Sequence, residues 1–175
     1  MGSGKSTIGK LLAAHLRLPF VDLDNAIEQQ EQLSIADLFK MKGEDYFRAC
    51  ESKTLRALLI DTPAFVLATG GGTPCFFDNM KLLNEQSITI YLDCDATAIH
   101  ARITSSEQTR PLFSSDINEL QQHLLSRIPF YSMARYAISN NSTAEETCAS
   151  ILEKLDSWFI RIPQFYFIHN AVCFL

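Results

Sequence analysis

The sequence predicts a single α/β domain built around a parallel β-sheet. Its 175 residues match the length of one domain, and 47% apolar with 20% charged residues is the composition of a folded chain with a real core. Short apolar runs alternate with longer amphipathic stretches, as in a series of βα units. We expect the domain to span residues 1–158 and leave the tail, 159–175, without an assignment because its aromatic residues show no clear period.

Apolar residues at helical spacing predict the helices. In the first helix Ile8, Leu11 and Leu12 share one face, and at the second Ser34 can act as the cap, with Asp37 three residues later. The predicted helices span residues 5–16, 34–40, 44–60, 95–103, 116–128 and 143–158. The predicted buried strands are residues 20–21, 65–68, 87–92 and 136–138.

Charge and cysteine content exclude several classes of protein. The net charge of −5 argues against a general nucleic-acid binder, whose affinity comes from neutralising phosphates, but is compatible with a small anion in a local basic pocket. The five cysteines form no Cys-x-x-Cys pair and the four histidines show no ligand spacing, so we expect neither disulfides nor a zinc site. No signal peptide is visible, and the apolar tail is shorter than the ~20 residues of a membrane span. We therefore expect a cytoplasmic protein.

Residues 2–7, Gly-Ser-Gly-Lys-Ser-Thr, form most of a phosphate-binding P-loop. Glycines let backbone N–H groups converge on phosphate oxygens, and the following helix directs its positive end there. Lys5 would reach the β- and γ-phosphates and Ser6 would ligate Mg²⁺; a flexible Gly/Ser-rich start is the alternative interpretation. The full pattern begins two residues before Met1, after a buried strand, so we expect the first strand to be missing here. Either Met1 is an internal methionine or the protein lacks that central strand.

Two further motifs follow predicted strands, at the edge where open α/β sheets bind ligands. Asp22 and Asp24 follow the first strand, and alternate residues of an extended segment point the same way, so both carboxylates can face one site. One could hold Mg²⁺ and the other could accept the proton of an alcohol, although surface turns also carry this pattern. Gly70, Gly71 and Gly72 follow a second strand and permit close approach to a ligand, or form a flexible turn.

Four arginines are candidate anion ligands in this acidic chain: Arg48, Arg102, Arg110 and Arg127. The guanidinium fork binds a carboxylate or phosphate through two hydrogen bonds, whereas a solvated surface position is the alternative for each. Arg110 precedes a proline in the polar segment 104–115, which is predicted to be a mobile loop. Such an arginine can close over a transferring phosphoryl group and exclude water.

The combination of these motifs resembles the shikimate kinases, P-loop enzymes of the nucleoside-monophosphate-kinase-like group. The resemblance covers nearly all of residues 1–138, in the family's order. The matching segments are GSGKSTIGKLLA (2–13), FVDLDNAIE (20–28), SIADLFKMKGEDYFRACE (34–51), VLATGGGTP (66–74), RPLF (110–113) and RIPFY (127–131). The P-loop alone is unspecific, but the set of motifs is highly specific.

The resemblance implies transfer of a phosphoryl group from ATP to the 3-hydroxyl of shikimate, a step toward chorismate and the aromatic amino acids. The implied fold is a three-layer α/β/α sandwich around a five-stranded parallel sheet in the family order 2-3-1-4-5. Residues 24–60 would form the shikimate-binding subdomain and residues 103–117 the lid. We expect a monomer whose partners are ATP, Mg²⁺ and shikimate, with no nucleic acid and no membrane.

The resemblance also implies a role for each site residue. Asp24 would bind the shikimate hydroxyls and act as the base, and Asp22 would help to hold Mg²⁺ through water. Arg110 would be the lid arginine that faces the phosphates, and Arg102 would flank the adenine. The shikimate carboxylate and its pocket would be bound by Arg48, Arg127 and the backbone of Gly70, Gly71 and Gly72. The ATP phosphates would be bound by Gly2, Ser3, Gly4, Lys5, Ser6 and Thr7, with Lys5 also catalytic and Ser6 also on Mg²⁺.

Two alternatives remain open at the level of sequence. A gluconate or nucleoside-monophosphate kinase would share the P-loop half, but it would lack the combination of Thr-Gly-Gly-Gly with Arg-x-Pro-x-Tyr. A relative that binds shikimate or a protein without turnover would account for the shortened P-loop.

Overall fold

The computed structural model describes residues 2–95, 97–99, 101, 117–161 and 170–175. The helices discussed below are α1 (Lys5–Leu16), α2 (Leu23–Glu31), α3 (Ile35–Asp61), α4 (Asn79–Gln86), α5 (Ile117–Tyr131) and α6 (Ala144–Arg161). The strands are β1 (Phe20–Asp22), β2 (Ala64–Ala68), β3 (Ser87–Asp93), β4 (Tyr136–Ser139) and β5 (Asn170–Phe174), and a 3₁₀ turn, Thr73–Cys75, follows β2. The predicted α/β class is confirmed.

The five strands form one parallel sheet in the order β1-β2-β5-β3-β4. The central strand, β5, comes from the tail that the sequence leaves unassigned, and its Val172 pairs with Val66 of β2 and with Ile88 of β3. This is where the family order places the first strand. In the part of the chain that the structure describes, the central position is filled by β5, from the C-terminal end of the sequence.

Burial on both faces explains why β5 gave no readable pattern. Val172, Cys173 and Phe174 are each no more than 3% exposed. A parallel strand covered on both sides carries a continuous apolar run instead of alternating residues. Its identity as a strand therefore depends on the neighbours that cover it.

Helices cover both faces of the sheet and complete the three layers. On one face α1 and α6 share a core with β5, which includes Ile8, Leu12, Ile151, Leu155, Val172 and Phe174. On the other face α2, α3 and α4 share a core that includes Ile27, Leu55, Leu59, Leu83, Ala171 and Cys173. Alternate residues of β5 thus enter opposite layers, as strand geometry requires.

The segment after β1 differs from the expectation. The chain does not continue extended through Asp24, because the Asp22 carboxylate accepts the Asp24 backbone N–H at 3.1 Å and caps α2. The predicted extended Asp-x-Asp segment is therefore wrong. The sequence patterns also missed α2, because this mainly polar helix buries only Leu23 and Ile27.

Helix α3 joins the two helices predicted at 34–40 and 44–60. They meet at Gly43, whose φ of 81° and ψ of 172° are not helical. Helix α4 and the 3₁₀ turn were not among the predicted elements. Of the predicted helix 95–103, residues 97–99 and 101 are helical, whereas residues 96, 100, 102 and 103 and all of the loop 104–115 lie outside the described residues.

Candidate active site

The phosphate-binding segment leads directly into α1 at one edge of the sheet. Gly4, the residue before the helix, has a φ of 83°, which glycine adopts without the strain that a side chain would bring. The first turn of α1 carries no acidic side chain, so the positive end of the helix dipole faces this loop. Gly2 also has a positive φ of 75°, and Thr7 lies in the first turn with an exposed side chain.

Two side chains of this segment make short contacts that bear on nucleotide binding. Lys5 Nζ donates a hydrogen bond to Ser3 Oγ at 3.2 Å. Ser6 Oγ donates to Asp22 Oδ2 at 2.8 Å. A hydroxyl and a carboxylate oxygen thus lie side by side at the mouth of the loop, which is a hard-oxygen pair of the kind that suits Mg²⁺.

Asp24 is the most strongly perturbed acid of this region. Its pKa is raised from 3.8 to about 6, first by burial and then by the negative charges of Asp22 and Glu51, while the charge of Lys5 acts in the opposite direction. Asp22 and Asp24 are therefore close enough to interact, although a helix cap brings them together and not an extended strand. A carboxylate with a pKa near 6 is ionised at neutral pH yet basic enough to accept a proton.

The glycine segment after β2 lies against these acids. A Cβ on Gly70 would come within 3.1 Å of Asp24 Oδ1, of Glu51 Oε1 and of Thr73 Oγ1. A Cβ on Gly72 would come within 2.8 Å of the Arg48 guanidinium nitrogens. A side chain at either position would therefore displace Arg48 or crowd Asp24 and Glu51.

Arg48 is held from several sides by neighbouring side chains. Its guanidinium forms ion pairs with Glu51 at 2.9 Å and with Glu44 at 3.1 Å. Its central carbon lies 4.1 Å from the centre of the Phe76 ring, a cation–π contact. The side chain is only 11% exposed, so this cation is oriented before any ligand binds.

Glu51 is a site residue that the sequence patterns did not single out. It is fully buried and accepts a hydrogen bond from Thr73 Oγ1 at 2.6 Å in addition to its ion pair with Arg48. The available signal is its position three residues after Arg48, which places both on one face of α3. Glu51 links the arginine to the glycine segment and contributes to the raised pKa of Asp24.

Arg127 approaches the same segment from α5. Tyr131, four residues later, donates a hydrogen bond from its hydroxyl to the Gly71 carbonyl. Burial raises the pKa of Tyr131, and the charge of Arg127 opposes that change. The pKa of Cys75 is likewise raised by burial and lowered by the charges of both Arg127 and Arg48. The two arginines, 79 residues apart in the sequence, therefore converge on one region.

Some predicted features lie outside the described residues, or find no counterpart within them. Arg102, Arg110 and nearly all of the predicted lid, 103–117, are outside the described ranges. In the part of the chain that the structure describes, no group of three His, Cys, Asp or Glu side chains could hold a metal ion. Across those same residues, no helix has the length and apolar character needed to cross a membrane.

Comparisons with known proteins point to a single family. The family model for "Shikimate kinase" matches residues 1–156. A shikimate kinase from Bacteroides fragilis is 38% identical over 141 residues, which is 78% of each chain. The crystal structure of shikimate kinase from Bacteroides thetaiotaomicron superimposes with a TM-score of 0.82 at 32% identity, covering 89% of this chain and 94% of that one.

A third relative was solved with shikimate bound. Shikimate kinase from Acinetobacter baumannii, solved in complex with shikimate, superimposes with a TM-score of 0.82 at 33% identity, covering 90% of this chain and 89% of that one. The family match spans the phosphate loop, the acid pair, the glycine segment and both arginines. This chain belongs to the shikimate kinase family.

Proposed function

We propose that this protein transfers the γ-phosphoryl group of ATP to the 3-hydroxyl of shikimate. The observation that carries the proposal is the acceptor side of the site, where Asp24 lies against Gly70 and Arg48 lies against Gly72 of the same glycine segment. Family membership supplies the substrate class. The product would be shikimate 3-phosphate, on the route to chorismate and the aromatic amino acids.

The donor half supports ATP as the phosphoryl donor. Backbone N–H groups of residues 2–7 and the N-terminus of α1 would bind the phosphate oxygens, with Lys5 as the point charge. The paired oxygens of Ser6 and Asp22 fit Mg²⁺, directly or through water. When bound, Mg²⁺ would neutralise charge on the phosphate oxygens.

The acceptor half supports a small anionic alcohol. Arg48 and Arg127 are two cations at one segment, and a guanidinium pair of this kind would bind a carboxylate by charge-assisted hydrogen bonds. Such a clamp would place a hydroxyl of the ligand beside Asp24. Glu51 is already paired with Arg48, so it would hold the arginine in orientation.

The chemical step then needs one base and an aligned donor. Asp24 accepts the hydroxyl proton while the hydroxyl oxygen forms its bond to the γ-phosphorus. The bond between that phosphorus and the β–γ bridging oxygen breaks, and ADP leaves with the electron pair. Arg110 would close over the phosphates from the lid. Turnover should fall below about pH 6, since a protonated Asp24 cannot accept the proton.

An ADP-release assay with a panel of acceptors tests the proposal. The full chain is supplied with ATP, Mg²⁺ and either shikimate, gluconate or a nucleoside monophosphate, and Lys5→Ala serves as the inactive control. We expect shikimate to be the best acceptor and Lys5→Ala to abolish its turnover. Preference for another acceptor would favour a different kinase on this scaffold, and no ADP release above background would favour a binding protein without turnover.

We also propose a cytoplasmic monomer that acts on small molecules alone. Free thiols at all five cysteines, four of them buried and Cys75 half-buried, support a reducing compartment. Light scattering during gel filtration measures the oligomeric state, and a dimer at assay concentrations would contradict this proposal.

A further inference from the structure

The side-chain amide of Asn140 is buried and contacts the phosphate loop, residues 2–7. Asn140 follows β4 directly and is 2% exposed. Its Nδ2 donates a hydrogen bond to the carbonyl oxygen of Ser3, 137 residues away in the sequence. A carbonyl can only accept, so this contact fixes which end of the amide faces the loop.

The rest of Asn140 is held by the protein body. Its Oδ1 lies 3.1 Å from Thr147 Oγ1 on α6, a hydroxyl that shares its single hydrogen with the Thr143 carbonyl at 3.0 Å. Its backbone N–H donates to the carbonyl of Asp93, at the end of β3, at 2.7 Å. One residue therefore connects the loop to β3, to β4 and to α6.

Asn140 also fills the space beside Gly4. A Cβ on Gly4 would lie 3.5 Å from Asn140 Nδ2, so the amide packs on the side where a side chain would stand. Because the amide is buried, removing either partner would leave a polar group without the hydrogen bond that offsets its desolvation.

We propose that Asn140 is a positioning residue for the nucleotide phosphates, an inference that rests on the proposed use of ATP. In a trans peptide the carbonyl and the next N–H point in opposite directions. Fixing the Ser3 carbonyl toward Asn140 therefore aims the Gly4 N–H away from it, into the space where phosphate oxygens would bind. Thr147 acts indirectly, because its hydroxyl orients the Asn140 amide.

The variant Asn140→Leu tests this role, since leucine has the same number and branching of side-chain heavy atoms as asparagine and can neither donate nor accept a hydrogen bond. The matched control is Asn141→Leu, the same change at the exposed neighbour. The Kd for ATP is measured by equilibrium dialysis, KM for ATP and for shikimate by ADP release, and folding by thermal unfolding. We expect Asn140→Leu to raise the Kd and KM for ATP about tenfold and leave KM for shikimate within twofold.

The possible outcomes separate this inference from the proposed function. An ATP Kd within twofold of the unmutated protein, or equal losses for ATP and shikimate, would overturn the positioning role. If Asn140→Leu does not fold, Thr147→Val decides in the same way: an ATP Kd raised severalfold supports the role, and an unchanged one overturns it. If the parent chain binds ATP but does not phosphorylate shikimate, only the proposed function is contradicted. The role of Asn140 can still be measured by dialysis.

Discussion

The acceptor side and the donor side of this site are built in different ways. On the acceptor side the oriented groups hold one another: Glu51 pairs with Arg48 and accepts from Thr73, and Asp24 lies against Gly70. All of these come from residues 24–73. On the donor side the phosphate loop depends on groups far away in the chain, namely Asn140 and the central strand β5.

The acceptor side thus depends on its own reactive side chains, whereas the donor side depends on distant parts of the fold that hold the phosphate loop in position. Acceptor chemistry resides in short motifs, so changes there should alter turnover or affinity while the fold persists. Donor geometry depends on elements that contain no recognisable nucleotide motif, so changes there should act through the position of the loop or through the whole fold. Variants on each side of the site test this difference.

The largest expected effect is loss of the fold on placing a charge in β5. Val172 is 3% exposed and pairs with strands on both sides, so Val172→Asp would bury an unpaired carboxylate. We expect destabilisation of more than about 4 kcal/mol, which is a large part of the ~5–15 kcal/mol that keeps a domain folded. Urea unfolding followed by circular dichroism measures it.

A matched control makes the β5 result specific. Ala137→Asp places the same charge at an exposed position of the edge strand β4 and should unfold near the urea concentration of the parent chain. If Val172→Asp were equally stable, β5 would not hold the central position of the sheet.

The next largest effect is on the chemical step. Asp24→Asn keeps the shape of the side chain but removes the proposed base, so we expect kcat to fall about 10²- to 10⁴-fold while KM for shikimate changes less. The control, Asp45→Asn, makes the same change at an exposed position of α3 and should leave kcat unaltered. An unchanged kcat in Asp24→Asn would remove Asp24 from the role of base.

The sequence predicts the side chains that would do the chemistry of this site, but it does not predict the groups that hold them in place. Motif spacing and family resemblance place Lys5, Asp24 and Arg48 at one end of the sheet. The same patterns do not reveal Glu51, because a buried acid within a helix resembles any charged surface residue until its partners are known. Asn140 is read as an ordinary loop residue, since its role depends on a contact with Ser3 across 137 positions.

The central strand illustrates the same limit for the fold. The parallel α/β class follows from alternating apolar runs and amphipathic stretches, but the position of β5 does not. Local patterns report which residues are apolar, whereas strand order is decided by pairing with β2 and β3, which come from distant parts of the chain.

A smaller effect should separate the two substrates. Arg127→Ala would remove one cation of the pair at the glycine segment, and we expect roughly 100-fold weaker shikimate binding with little change for ATP. Titration calorimetry with each ligand measures the difference. Arg56→Ala, which removes an exposed arginine of α3, is the control. Equal losses for both ligands in Arg127→Ala would contradict a role confined to the acceptor.

The last effect concerns stability and has the opposite sign from the loss of activity. The pKa of Asp24 is about 6 in the folded protein and 3.8 ordinarily, so between pH 4 and 6 the folded chain holds a proton that the unfolded chain releases. Ionising Asp24 thus lowers stability as the pH rises through this window. Asp24→Asn cannot ionise and should exceed the parent chain by about 3 kcal/mol at pH 7.5, with the difference falling below about 1 kcal/mol near pH 4.

Urea unfolding of the substrate-free protein at both pH values measures this gain, with Asp45→Asn again as the control. The expected pattern is a variant that is more stable and almost inactive, because the burial that makes Asp24 a good base also makes its charge costly. Equal stability of Asp24→Asn and the parent chain at pH 7.5 would mean that the Asp24 carboxylate is solvated in the free enzyme. Its basicity would then arise only when shikimate and ATP exclude water from the site.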